Sequence, residues 1–216
     1  MDKTLLIIMA KWHGYGRCKT RLSKDIGKIN SAKVQSVMTN HTVSVARFLQ
    51  KIEKIDISLA ISGLGKRKGE RWSQELGIQK FNLQGRGCLG EKMKRQIIDN
   101  KKFCIQNSIK NIIFIGTDLP DLCHLDILNT IKDLKKKDLI LGPSNDGGYW
   151  LIGLSEKIIS RHLHLPFINI RWSKENVLQN TIDNFANRKL KYKFLDKKID
   201  IDTIIDIEKR ESNQFV

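Results

Sequence analysis

Short apolar runs alternate with helix-spaced stripes along the whole chain. Thr4 to Ala10 is a nearly unbroken apolar run, the pattern of a strand covered on both faces. From Ser31 to Ile52, the residues Val34, Val37, Met38, His41, Val45, Leu49 and Ile52 recur at helical spacing and predict one amphipathic helix. Ile57 to Ile61 predicts a second strand and Phe81 to Leu83 a short third. Helical periodicity runs from Leu89 to Ile109 through Met93, Ile97, Ile98 and Ile105. Asn111 to Gly116 predicts another buried strand, followed by a turn and a helix from about His124 to Leu134. Leu139 to Gly142 and Tyr149 to Leu154 predict strands flanking a glycine-rich turn. A charged helix over Lys174 to Asn187, a strand from Tyr192 to Leu195 and a last helical turn complete the pattern. This alternation predicts a three-layer α/β/α fold with a mainly parallel sheet, one domain over 1–216, with 208–216 a frayed tail. In open sheets of this type ligands sit beyond the carboxyl ends of the strands. The residues just after each strand are therefore the first candidates for chemistry.

Composition narrows the picture. A chain of 216 residues with 40% hydrophobic and 29% charged residues is a globular protein, not a disordered one. No run approaches the ~18 apolar residues of a membrane span. The opening apolar run meets Lys11 and no small-residue cleavage site, so no secretory signal is expected. Cys18, Cys88, Cys104 and Cys123 form no CxxC pair and read as free thiols of a reducing compartment, with cytoplasm the expected location. Lys and Arg number 39 against 23 Asp and Glu, a formal charge of +16. Lysine supplies 28 of those cations, spread along the chain beside many Ile and Asn. Part of the surplus thus reads as compositional drift, and a nucleic-acid binder is the weakest of three functional readings.

The residues after the first strand run Lys11-Trp12-His13-Gly14-Tyr15-Gly16-Arg17-Cys18-Lys19-Thr20-Arg21-Leu22. Two glycines free the backbone to approach a ligand, and Lys11, Arg17, Lys19 and Arg21 bring four cations into one loop. That is the chemistry of a phosphate cradle. A dinucleotide fingerprint would need glycine where Lys19 stands, and a Walker A loop would need glycines at His13 and Cys18. The alternative is a solvated basic loop. After Asn111–Ile115 comes Gly116-Thr117-Asp118-Leu119-Pro120-Asp121. Asp118, just past a buried strand, suits a hard divalent cation, Mg²⁺ or Mn²⁺, that shares its shell with substrate phosphates; Asp121 better fits a helix-capping turn. A third segment, Gly142-Pro143-Ser144-Asn145-Asp146-Gly147-Gly148-Tyr149, pairs a carboxylate with glycines and an aromatic wall. It reads equally as a hairpin turn. Gln84-Gly85, in a glycine-rich lead into a helix, suits a base or a phosphate. Asp200 and Asp202 share a face if extended, and Asp202 is either a further metal ligand or an N-cap. The 200–206 segment is expected to pack back near the site.

Together these segments resemble the radical-SAM/selenodomain-associated transferases, within the GT-A-like nucleotide-diphospho-sugar transferase superfamily. The likeness runs from Met9 to about Asp206 and includes Ala10-Lys11, Gly16 with Lys19-Thr20-Arg21-Leu22, Gln84-Gly85 with Leu89-Gly90-Glu91 and Met93, Gly116-Thr117-Asp118 with Pro120, Gly142-Pro143 with Asp146-Gly147-Gly148-Tyr149, Trp172-Ser173, and Asp200-Ile201-Asp202-Thr203. The resemblance implies a Rossmann-like GT-A fold, nucleotide binding at the first loop and a divalent metal near Asp118. The chain departs from its relatives at His13 and Tyr15, where they carry prolines, at Lys92, where they carry arginine, and at Lys174, where they carry threonine. The first departure predicts a loosened phosphate loop. The expected activity is transfer from a nucleotide-activated donor, glycosyl transfer first and nucleotidyl transfer with pyrophosphate release second. Lys11, Gly16, Arg17, Lys19, Thr20, Arg21, Gln84 and Gly85 would bind the nucleotide, and Asp118 and Asp202 the metal. Asp146 would orient or deprotonate the acceptor, beside a pocket made by Gly147, Gly148 and Tyr149.

Overall fold

A computed structural model describes residues 3–53, 55–172 and 175–213. Among them seven strands form one sheet in the order β3-β2-β1-β4-β6-β5-β7. The strands are β1 (Lys3–Lys11), β2 (Ile55–Ser62), β3 (Phe81–Leu83), β4 (Ile109–Ile115), β5 (Leu139–Pro143), β6 (Tyr149–Leu154) and β7 (Tyr192–Phe194). β6 runs antiparallel to β4 and β5, and every other pairing is parallel. The helices are α1 (Ser23–Ile52), α2 (Lys66–Glu75), α3 (Leu89–Asp99), α4 (Lys101–Gln106), α5 (His124–Leu134), α6 (Glu156–Arg161), α7 (Val177–Ala186) and α8 (Ile204–Asn213).

Strand alternation divides the core in two. From β1, Leu6, Ile8 and Ala10 pack with Val43, Ala46 and Leu49 of α1, Trp72 of α2, and Ile127 and Ile131 of α5. Leu5 and Ile7 point the other way, to Met93 and Ile97 of α3, Ile158 of α6 and Phe185 of α7. Helices on both faces of a twisted, mostly parallel sheet make the three-layer α/β/α architecture that the alternation predicts. A smaller cluster joins Leu22 and Met38 to Ile201, with Ile204 and Ile207 against it, so the last helix is pinned to the start of α1.

The structure departs from the sequence pattern in a few places. The long helix expected to Ile109 breaks at Asn100, a buried residue that ends α3 and begins α4. Its Nδ2 donates to Gln96 O at 2.8 Å, the carbonyl to which its own backbone N–H also donates. Ile109 then opens β4, after a left-handed Ser108 (φ 54°). The buried stripe of α1 is Gln35, Met38, Thr39, Thr42, Val43, Ala46 and Leu49, whereas Val37 is 67% exposed. One polar member serves the sheet end: Gln35 Nε2 donates to Thr117 Oγ1 at 3.0 Å. A non-helical Gly27 (φ 80°) kinks α1 ahead of the stripe. α2 and α6 carry too few apolar residues to register as stripes; α2 buries only Gly69, Trp72 and Ser73. Within the expected tail over 208–216, α8 continues to Asn213 and Arg210 Nη2 meets Asp121 Oδ1 at 2.7 Å, while 214–216 lie outside the described residues. Lys174, expected to start a helix, lies outside the described residues, and α7 begins at Val177.

These two kinds of contact differ in weight. Phe185 is fully buried, and Phe185→Ala should cost about 3–5 kcal/mol of unfolding free energy. Arg210→Ala breaks a partly exposed ion pair and should cost less than about 1 kcal/mol. Urea unfolding curves of both variants check the contrast.

Candidate active site

A cavity of about 760 Å³ opens beyond the carboxyl ends of β1 and β4, where an open sheet binds its ligands. Its floor is Met9, Phe114 and Ile115; one wall is the β5–β6 hairpin, and the other is formed by Leu89 and Met93 of α3 with Trp172. Asp118, Asp146, Asp200, Asp202 and Glu175 line it, with Arg21 as the lining cation. A chain of formal charge +16 thus places an acidic cavity at its sheet end.

Lys19 organises the acids. Its backbone adopts φ 46°, a left-handed conformation uncommon for a residue with a Cβ. Its side chain is only 1% exposed, and Nζ lies 2.6 Å from Asp118 Oδ1 and 3.2 Å from Asp202 Oδ1. It also donates to Ile201 O. Asp118 Oδ1 meets the ammonium as an ion pair, not as a directed hydrogen bond, and is otherwise unpartnered. Backbone pairing of Ile201 N with Asp118 O at 2.9 Å fastens the two acid-bearing segments side by side. The 200–206 segment therefore packs against the loop after β4. Asp202 does not cap α8: Asp206 Oδ2 does so, accepting from Thr203 N at 2.7 Å and Asp202 N at 3.0 Å. The Asp202 carboxylate is left to Lys19 and, at 3.8 Å, to Arg21.

Asp146 is both turn former and cavity residue. Its Oδ1 accepts from Ser144 Oγ at 2.5 Å and Gly148 N at 3.0 Å, fixing the carboxylate in the hairpin. Gly147 has φ 81°, and a Cβ there would stand 1.9 Å from Glu175 O. Its carbonyl accepts from Leu178 N, so the hairpin is seated on the start of α7. Burial pushes the Tyr149 phenol up, beside Thr181, and the ring stands edge-on to Trp172 at 6.4 Å. Trp172 in turn lies over Gly90, where a Cβ would meet its ring at 2.4 Å. Ser173 lies outside the described residues.

The first loop divides. Arg21 reaches the cavity, and Lys11, Arg17 and Thr20 are exposed on the loop. Gly16 makes a left-handed turn (φ 65°). Lys19 is turned inward to the acids and away from the exposed face. Prolines are not needed to hold the loop, since His13 packs between Trp12 and Trp72 at ring separations of 5.6 and 5.8 Å. Burial pushes the His13 imidazole down, which keeps it neutral and suits that packing. Gln84 and Gly85 stand outside the cavity lining. Gln84 Nε2 donates to Ala10 O at 3.2 Å and Ala60 O at 3.0 Å, tying β1 to β2. Gly85 (φ 71°) leaves room for Arg95, which donates to Gln84 O. Asp121 is no helix cap; Cys123 and Asp126 form the capping box of α5.

The donor set suits a hard divalent cation. Asp200 lines the cavity half-buried, and burial first and the charges of Asp118, Asp146 and Asp202 next raise its pKa to about 7. One ammonium and the more distant Arg21 guanidinium leave these four carboxyl groups short of positive charge. Among the described residues no three His, Cys, Asp or Glu side chains already converge as a metal cluster. Two carboxylates completed by phosphate oxygens and water are a common arrangement for Mg²⁺. Sequence reasoning offers Asp200 only through its shared face with Asp202, as part of a further metal-ligand candidate. It names Leu89 and Met93 only in a helical stripe and as part of the family likeness, and passes over Glu175; their place in the cavity depends on tertiary packing.

In metal-free solution Asp200 keeps its proton when folded, between pH 3.8 and about 7, where the unfolded chain has lost it. The folded state binds more protons there, so stability falls as pH rises through that window. Asp200→Asn removes this slope. Urea titrations in chelator at about pH 5 and about pH 8 should show the variant losing less stability than the parent between the two; equal losses would contradict the assignment.

Comparison with known proteins follows the same architecture. A candidate nucleotide-diphospho-sugar transferase from Desulfovibrio desulfuricans G20 superposes with a TM-score of 0.79 at 25% identity, over 96% of this chain and 85% of that one. Glucosyl-3-phosphoglycerate synthase from Mycobacterium tuberculosis, in complex with Mn²⁺, UDP and glucosyl-3-phosphoglycerate, gives 0.59 at 12% identity over 99% and 77%. The 4-diphosphocytidyl-2C-methyl-D-erythritol synthase of Anaerococcus prevotii DSM 20548 gives 0.61 at 12% over 100% and 99%. These proteins share this fold, which is that of the nucleotide-diphospho-sugar transferases. No curated protein matches the sequence. Residues 45–174 match the family described as uncharacterised proteins conserved in bacteria (DUF2064), and the chain belongs to that family.

Proposed function

We propose that the chain is a metal-dependent transferase acting on a nucleotide-activated donor, with glycosyl transfer from a nucleotide-diphospho-sugar as its reaction. Kinship with the radical-SAM/selenodomain-associated transferases is part of this reading. The observation that carries it is the ring of Asp118, Asp146, Asp200 and Asp202 around one cavity, with a cationic loop at its edge. Carboxylates so crowded call for a cation, and cations on the rim call for an anionic substrate.

In this reading Asp118 and Asp202 would hold Mg²⁺ or Mn²⁺, which when bound would stabilise charge developing on the leaving diphosphate. The mycobacterial synthase holds Mn²⁺ and UDP within the same fold, which supports that choice. Arg21, at the rim, and Lys11 and Arg17, exposed on the first loop, carry the diphosphate. Gly16 and Thr20 shape that loop, and Gln84 and Gly85, just after β3 and outside the cavity lining, would back the nucleotide from beyond its edge. Lys19 keeps Asp118 and Asp202 side by side. Asp146, locked by Ser144 and Gly148, orients or deprotonates the acceptor hydroxyl next to Gly147, Gly148 and Tyr149.

A panel of nucleoside diphosphates, triphosphates and nucleotide sugars, each with and without Mg²⁺ and Mn²⁺, tests the proposal by thermal shift. A ligand at 100 times its dissociation constant stabilises by about 2.7 kcal/mol. At least one nucleotide should stabilise the chain more with metal, and Asp118→Ala should abolish the metal-dependent part. Released nucleoside diphosphate supports glycosyl transfer; released pyrophosphate would replace it with nucleotidyl transfer. No shift with any nucleotide would overturn both.

A further inference from the structure

The opposite end of the sheet carries a second recess, of about 410 Å³. It lies where β4 begins (Lys110, Asn111), before β5 (Asp138) and β7 (Lys191), and just after the antiparallel β6 (Ser155). None of its lining is shared with the acidic cavity. Seven lysines line it: Lys110, Lys135, Lys136, Lys137, Lys157, Lys189 and Lys191. Two are neutralised locally, Lys110 by Glu156 at 2.5 Å and Lys157 by Asp138 at 3.3 Å. The other five side chains have no carboxylate partner among the described residues.

Charge alone would describe a solvated lysine patch. Two uncharged groups set this recess apart. Asn111 is 3% exposed and Ser155 8% exposed, and both line it. Asn111 Nδ2 and Ser155 Oγ are buried with no hydrogen-bond partner. Ser155 precedes α6 yet its hydroxyl makes no capping bond. Buried donors are ordinarily satisfied. An amide and a hydroxyl without acceptors, ringed by ammonium groups, are complementary to an oxyanion. The lining holds no aromatic side chain on which a base could stack, so the phosphate itself is the group recognised.

We propose that this recess is a second binding site, separate from the acidic cavity, for a small soluble phosphate-bearing anion of the pyrophosphate class, gripped by Asn111, Ser155 and the lysines around them. Asn111 Nδ2 and the Ser155 hydroxyl donate to phosphate oxygens within the recess, and Lys135, Lys136 and Lys137 supply the charge at its mouth. A phosphorylated lipid head group offers the same chemistry, and the recess size favours the soluble source.

Pyrophosphate is the probe, titrated calorimetrically at about 150 mM salt, where loose surface attraction is screened, with chelator keeping divalent cations from the acidic cavity. Saturable binding is expected. Ser155→Ala should weaken it about tenfold or more while unfolding at the parent's temperature, and Lys135→Gln/Lys136→Gln/Lys137→Gln should weaken it as well. Asp118→Asn should leave it intact. Absence of saturable binding, or binding unaffected by Ser155→Ala, would overturn the site. Capture by vesicles of phosphatidylcholine with phosphatidic acid, without binding of free pyrophosphate, would overturn the soluble anion in favour of a lipid surface.

Discussion

Lys19 sets the geometry on which the acidic end of the molecule depends. A left-handed backbone turn after Cys18 directs its side chain inward, where three oxygens from two distant segments receive one ammonium. Asp118 follows β4 and Asp202 precedes α8, so the pairing joins the loop after β1 to two regions far apart in sequence. Without a cation between them, those carboxylates would repel each other and Asp200 besides. The Ile201–Asp118 backbone bond and the Leu22–Met38–Ile201 cluster act in the same place, by hydrogen bonding and burial. First loop, acid loop and C-terminal segment are consequently one mechanical unit.

That unit explains why a basic protein has an acidic site. The surplus of cations is distributed along helix faces and concentrated at the far end of the sheet, while the carboxyl ends of the strands gather aspartates. A negative cavity in a positive envelope fits the proposed pairing of an anionic substrate with a counter-cation. This is the electrostatic logic expected of a site where a metal and a phosphate arrive together.

Much of the fold was legible because its strands are buried on both faces. β1, β4 and β6 stand out as continuous apolar runs, and the helix His124–Leu134 carries a clean stripe. Legibility failed where packing overrode period. α1 buries Gln35, Thr39 and Thr42, and the Gln35 amide reaches Thr117 at the sheet end, which no hydrophobic stripe reveals. Asn100 breaks a periodic segment through its own hydrogen bonds. In the site, Asp118 and Asp146 were visible as acids at strand ends, and Asp202 as one of two readings. The inward turn of Lys19 was not visible, since a lysine among glycines and arginines reads as a phosphate ligand. Only the tertiary approach of Asp202, 183 residues away, redirects it.

The most direct test of this account is a double-mutant cycle on Lys19→Met and Asp202→Asn, read by urea unfolding at neutral pH and low salt. A buried ammonium shared between two carboxylates predicts a coupling free energy of about 1–3 kcal/mol, with the double variant much less destabilised than the sum of the singles. Simple additivity within about 0.3 kcal/mol would mean that Lys19 does not hold the acid segments together, and would contradict the account.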